Sequence, residues 1–142
     1  MTGPMKDIET AWRTVRIVHF AVLLTIPIYG VVGEFAGPQD AKDVAWLQQI
    51  LMVVAAASIV LMLLVRKHRV SPAEEALRLR PEEADSLGRW VLGNVASFAL
   101  CQSVGVCGLV LRLLGGTLAQ SLPFYVAAIG LLLLLWPRRP LT

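Results

Sequence analysis

Two histidines, two cysteines and the amides of Asn94 and Gln102, set in or beside apolar runs, are the side chains of this 142-residue sequence with the widest chemical reach. A pair of histidines on two helices can ligate a haem iron. His68, however, falls in the basic run Arg66-Lys67-His68-Arg69, where its ring meets water or headgroups. His19 lies in an apolar stretch close to its basic flank, as an interfacial packing residue or a contact to a quinone or lipid headgroup. Cys101 and Cys107 stand six residues apart in one stretch. That spacing puts them on different faces of a helix, so they cannot bond to each other, and they read as small apolar packing residues. Gln102 and Asn94 carry amides, which hydrogen-bond but do not titrate. Gln102 reads first as a bridge between helices, and with Ser103 and Thr25 it could also line a polar track. No Ser-His-Asp set, phosphate loop or intramembrane pair of carboxylates is visible. The chain therefore reads as non-enzymatic, with no catalytic residue and no metal site. A quinone or haem is the minor alternative as a cofactor.

The elements that must position these groups are apolar and long. The sequence is 56% hydrophobic and 16% charged, where a soluble domain carries about 25% charge. A helix needs about 20 apolar residues to cross a bilayer. Four runs meet or approach that length, at about 15–33, 46–65, 90–114 and 119–136. The expectation is an all-α membrane protein with four transmembrane helices forming one domain over 1–142. The net charge of +3 does not point to nucleic acid, because the basic residues sit at span boundaries rather than on an aromatic-studded soluble face. Eleven of them (Lys6, Arg13, Arg16, Arg66, Lys67, Arg69, Arg78, Arg80, Arg89, Arg138 and Arg139) fall on one side, against Lys42 and Arg112 on the other. The positive-inside rule then puts both termini and the 66–89 loop in the cytoplasm, in the inner membrane of a bacterium. The first apolar run is longer than the h-region of a typical signal peptide and no A-x-A-like site follows it, so it is expected to stay as a span.

The connections carry their own signals. Pro27 is expected to kink the first span. Residues 34–44 read as a short acidic turn. Arg66 to Arg69 are expected to end the second span abruptly, and Ser71-Pro72-Ala73-Glu74 fits a capping box that starts a new short helix to about Arg80. Leu77 and Leu79 on that helix face the membrane surface or the base of the bundle. The mixed charges of 66–89 form a solvated face, with docking of a cytoplasmic partner as the functional alternative. Arg112 is expected to snorkel to the outer interface.

Small residues supply the packing code. Ser97, Cys101, Gly105 and Gly108 recur at helical spacing on one face, and Ala55, Ala56 and Ala57 form a small run in the second span. In lipid, such faces are where helices associate, so these seven residues are the expected packing and oligomerisation positions. The first and third spans also match at a shift of 78: Phe20 meets Phe98, Ala21 meets Ala99, Thr25 meets Ser103, Gly30 meets Gly108 and Gly37 meets Gly115. The second and fourth match at a shift of 72, with Gln48 on Gln120 and Arg66-Lys67 on Arg138-Arg139. The expected architecture is a duplicated helical hairpin, a parallel repeat about an axis along the membrane normal.

The stretch Ser97-Phe98-Ala99-Leu100-Cys101-Gln102-Ser103-Val104-Gly105-Val106-Cys107-Gly108-Leu109-Val110 resembles the ion-carrying helix of the rotor-ring c subunits (proteolipids) of F-type and V-type ATP synthases. The resemblance implies hairpin packing and side-by-side oligomerisation. Where that family has its membrane carboxylate, this sequence has Gln102, and the counterpart in the first span is Leu24. The resemblance therefore does not extend to proton translocation by this chain. The function expected is a small non-catalytic subunit that packs into a larger homo- or hetero-oligomeric membrane assembly and contacts lipid. A proteolipid-like transport component and a quinone- or lipid-binding anchor of a redox complex are the alternatives.

Overall fold

The computed structural model describes residues 8–40 and 42–139; Lys6, counted above as a boundary charge, lies outside the described residues. The elements in order are α1 (Ile8–Ala36), α2 (Ala45–Val65), a π-helical turn (Arg66–Val70), α3 (Ser71–Leu79), α4 (Ala84–Leu113) and α5 (Leu118–Leu134). Among the described residues there is no strand. Three helical segments are long and apolar enough to cross a membrane: α1, the continuous stretch from α2 through α3, and α4. The apolar helix α5 has 17 residues, about 25 Å at 1.5 Å per residue, somewhat short of a hydrocarbon core of about 30 Å. Large side chains such as Ile17, Leu24, Val53 and Leu134 point outward. That surface suits lipid and would be a liability in water.

The bundle is organised around α4. α1, α2 and α5 each pack along it, and α1 also touches α5. Neither α1 with α2 nor α2 with α5 makes more than marginal contact. Consecutive helices thus form a packed hairpin in the second half (α4 and α5) but not in the first. Half of the most apolar stretch of α4 is buried, against 11% for that of α2. Small residues allow α4 its central place. A methyl added at Gly105 would lie 2.6 Å from Ile26 of α1, and one at Gly108 would lie 2.9 Å from both Phe124 and Tyr125 of α5.

The basic run does not end the second helix. α2 passes through the π turn into α3 as a 35-residue helical rod, Ala45–Leu79. The capping box expected at Ser71 is absent: Val70 before it is already helical and no side chain caps there. Capping answers backbone N–H groups left open at a helix start, and this helix does not start at Ser71. Proline supplies the reason for the wide turn. In a regular α-helix the Pro72 ring would collide with the carbonyl four residues back, and a π turn relieves such a clash. Gly93 of α4 makes room for the turn, since a methyl there would lie 2.7 Å from Val70. The turn aims Val70, Ala73 and Leu77 into the bundle base, whereas Leu79 is 80% exposed.

A capping box does occur, at Thr117-Leu118-Ala119-Gln120. Thr117 Oγ1 accepts from Gln120 N–H at 3.2 Å, and Gln120 Oε1 accepts from Thr117 N–H at 2.9 Å. Just before it, the chain leaves α4 through Gly115, whose φ is +112°. The N–H of Gly116 reaches the Leu111 carbonyl at 2.9 Å and that of Gly115 reaches Arg112 at 3.3 Å. This is the Schellman closure that favours glycine.

Candidate functional site

The residues read as packing positions separate into two groups. Ser97, Cys101, Gly105 and Gly108 are all buried in α4 against the other helices of the same chain. Their face packs within the bundle, Gly105 against Ile26 and Gly108 against Phe124 and Tyr125. Ala55 is buried too, but Ala56 and Ala57 remain exposed on α2.

Gln102, Thr25, Ser97 and Ser103 bond locally, whereas Ser121 Oγ and Tyr125 Oη of α5 are buried without a hydrogen-bond partner among the described residues. Gln102 Nε2 donates to Tyr29 Oη at 2.6 Å, tying α4 to α1. Such bridges contribute about 0.5–2 kcal/mol in lipid. Thr25, Ser97 and Ser103 donate to the carbonyls of Ala21, Gly93 and Ala99, each four residues back in its own helix. A hydroxyl bonded this way is spent on its own backbone. No polar track therefore joins Gln102, Ser103 and Thr25 through hydrogen bonds among them.

His19 is enclosed by the bundle. It is 0% exposed, with its ring edge-on to Phe98 and Trp136 at 5.0 and 5.3 Å. Its Nε2 lies 2.6 Å from the Leu132 carbonyl of α5. A carbonyl only accepts, so Nε2 carries the proton. The last carbonyls of a helix lack helical partners. At this end Leu131 takes Leu135 N–H, Leu133 takes Trp136 N–H, and Leu132 takes His19. The ring is thus a cap for α5 supplied by α1.

At the opposite end the sequence reading missed a clasp. Arg112 does not snorkel outward; it is 8% exposed. Its Nε donates to Glu34 Oε1 at 2.9 Å, and its Nη1 donates to the Pro38 carbonyl at 2.8 Å. Gly33 and Gly37 leave space for its stem and guanidinium, since a methyl on either would lie 3.1 and 2.8 Å from Arg112 atoms. Beside it, Lys42 N–H reaches the Gly115 carbonyl at 2.9 Å and joins the two connections of that end. The signal was present in the sequence: a lone arginine beside glycines, and a glutamate at the matching position of the first span.

The end rich in arginine holds a polar cavity of about 370 Å³ between the π turn, α3, α4 and the segment after α5. Asn94 and Trp90 of α4 form its inner wall. Asn94 is buried; its Nδ2 donates to the Trp90 carbonyl at 2.8 Å and its Oδ1 accepts from Arg66 at 3.4 Å. Trp90 Nε1 donates to Glu74 at 3.3 Å. Arg78, Arg138 and Arg139 complete the cationic rim, with Trp136 and Leu134 on the apolar side. Arg139 is held elsewhere, paired with Glu9 at 3.1 Å and stacked 4.7 Å over Trp12. The chain matches no known protein family, no curated protein and no solved structure.

Two features stand out among the described residues. One is this cavity. The other is the outward side of α2, which buries only Ala55 and Met62 of its 21 residues. The exposed residues of 66–89, among them Glu75, Arg78, Arg80 and Glu82, form a charged outer surface around the base.

Proposed function

We propose that this chain is a non-catalytic integral membrane subunit that docks a further transmembrane helix, from a second copy or from another chain, along the outward face of α2. The observation that carries this reading is the lopsided use of the helices. α4 spends its small-residue face inside the bundle, while α2 packs closely on no spanning helix but α4 among the described residues and leaves Ala56 and Ala57 exposed. Val53, Ala57, Val60 and Leu64 share one exposed stripe at spacings of three to four. Open grooves flank the helix on either side, one floored by Gln102 and Val106 of α4 and the other by Val104 and Phe124. Small residues let helix backbones approach closely, which is where association energy comes from in lipid.

Four crossings, a duplicated hairpin, both termini in the cytoplasm and placement in a bacterial inner membrane belong to the same reading. They rest on the charge asymmetry and the sequence matches. A transport role like that of the rotor proteolipids has less support, because Gln102 is engaged by Tyr29 and the nearby hydroxyls bond to their own helix. An anchor with a quinone at His19 has less support for the same reason, since the ring is sealed in.

Cysteine cross-linking in native membranes tests the docking face. Ala57→Cys and Val53→Cys, labelled with a thiol-reactive photocross-linker that captures any neighbouring helix, should give adducts, while Leu24→Cys on the exposed side of α1 should not. The native Cys101 and Cys107 are buried and free, so the wild type supplies the blank. Equal absence of adducts from both α2 positions would mean that lipid alone covers this face and would overturn the reading.

A further inference from the structure

We infer that the cavity at the arginine-rich end binds a phosphate-bearing anion, with a phosphate-bearing lipid headgroup as the favoured source. Three observations converge. The first is charge. Arg66, Arg78 and Arg138 reach the cavity and none has a salt-bridge partner among the described residues; Glu74 is the only carboxylate in the wall. The second is desolvation. Arg66 is half-buried, yet the only side-chain hydrogen bond it makes among the described residues is a long one of 3.4 Å to the neutral Asn94. A guanidinium removed from water calls for an anion or a full set of acceptors, and its planar fork suits a phosphate oxygen pair. The Glu74 carboxylate shares the wall and accepts from Trp90, but forms no ion pair with Arg66 among the described residues.

The third is position. The cavity lies where α2 leaves its apolar run, and its rim carries Trp136 and Leu134, the latter 83% exposed. A headgroup phosphate seated between Arg66 and Arg138 would therefore find an apolar wall leading back along α5. Basic pockets between helices at the membrane boundary take anionic headgroups in this manner. A volume of about 370 Å³ accommodates a phosphodiester with its glycerol. Asn94, fixed by the Trp90 carbonyl, keeps its acceptor on Arg66 and so holds that guanidinium at the cavity wall.

The test uses the full-length protein in zwitterionic detergent with added phosphatidylglycerol, phosphatidylcholine or inorganic phosphate, read by native mass spectrometry and by the fluorescence of the cavity tryptophans. The wild type should retain phosphatidylglycerol in preference to phosphatidylcholine. Arg138→Gln and Arg78→Gln change exposed arginines without intramolecular ion pairs and should leave the fold intact while weakening binding roughly five- to tenfold each. Arg66→Gln should weaken it at least as much. Arg89→Gln, an exposed arginine paired to Asp85 outside the cavity, serves as the control and should change nothing. If inorganic phosphate binds with the same dependence on the three arginines and phosphatidylglycerol does not displace it, the ligand is a soluble phosphate and the lipid assignment falls. Equal retention of both lipids, with no change in the variants and no binding of phosphate, would overturn the proposal.

Discussion

His19 and Arg112 close opposite ends of the bundle by one device, a buried donor that answers carbonyls left open where helices and turns end. His19 serves Leu132, and Arg112 serves Pro38 while pairing with Glu34. Replacing His19 with Leu keeps an apolar body of similar size but orphans the Leu132 carbonyl, which costs about 1–3 kcal/mol. Arg112→Ala should cost a similar amount, moderated by water at the half-exposed Glu34 carboxylate. Arg89→Ala, which removes an ion pair in the open at 2.6 Å, should cost about 0–1 kcal/mol. Thermal unfolding in detergent, followed by tryptophan fluorescence, ranks the three. An Arg89 variant as damaging as the Arg112 one would contradict the buried clasp. The sequence contained half of this. The shift of 78 that aligns the first and third spans also relates Glu34 to Arg112, residues that bond across two parallel helices. That α1 and α4 lie side by side is a tertiary fact, and without it Arg112 reads as a surface charge.

Helix ends and glycines were legible as signals but not always in the right place. Ser71-Pro72-Ala73-Glu74 and Thr117-Leu118-Ala119-Gln120 both fit the capping-box pattern, yet only the second lies at a helix start. What separates them is the segment before each. Gly115 breaks the chain ahead of Thr117, whereas the basic run ahead of Ser71 continues the helix through a π turn. Thr117→Ala should therefore destabilise by about 1 kcal/mol, and Ser71→Ala should be close to neutral in the same unfolding assay. The glycines of α4 differ as well. At Gly105 the nearest atom to an added methyl is the tip of Ile26, which can swing aside. At Gly108 it meets Phe124 Cβ at 2.9 Å and the Ser121 carbonyl at 3.1 Å, neither of which yields. Gly108→Ala should cost about 1–3 kcal/mol by overpacking, and Gly105→Ala clearly less. Comparable losses at both positions would mean that α1 is as rigid against α4 as α5 is.

At the scale of the molecule, a central α4 leaves α2 half-attached. The apolar runs and their lengths made the helices readable from the sequence. Which face turns inward was not readable, because α2 is apolar almost all round and periodicity cannot orient such a helix. The small-residue stripe of α4 looked like a surface for other subunits and is the seam of the chain itself. The partner helix we propose would dock on the stripe through Val53, Ala57 and Val60, all exposed. The most direct test is the native mass after gentle extraction, for the wild type and for Ala57→Trp. The account predicts that the wild type runs as a multiple of 15.5 kDa or with a second chain. It also predicts that Ala57→Trp releases a folded species of 15.5 kDa. A wild type already at that single mass, with no partner chain, would contradict it.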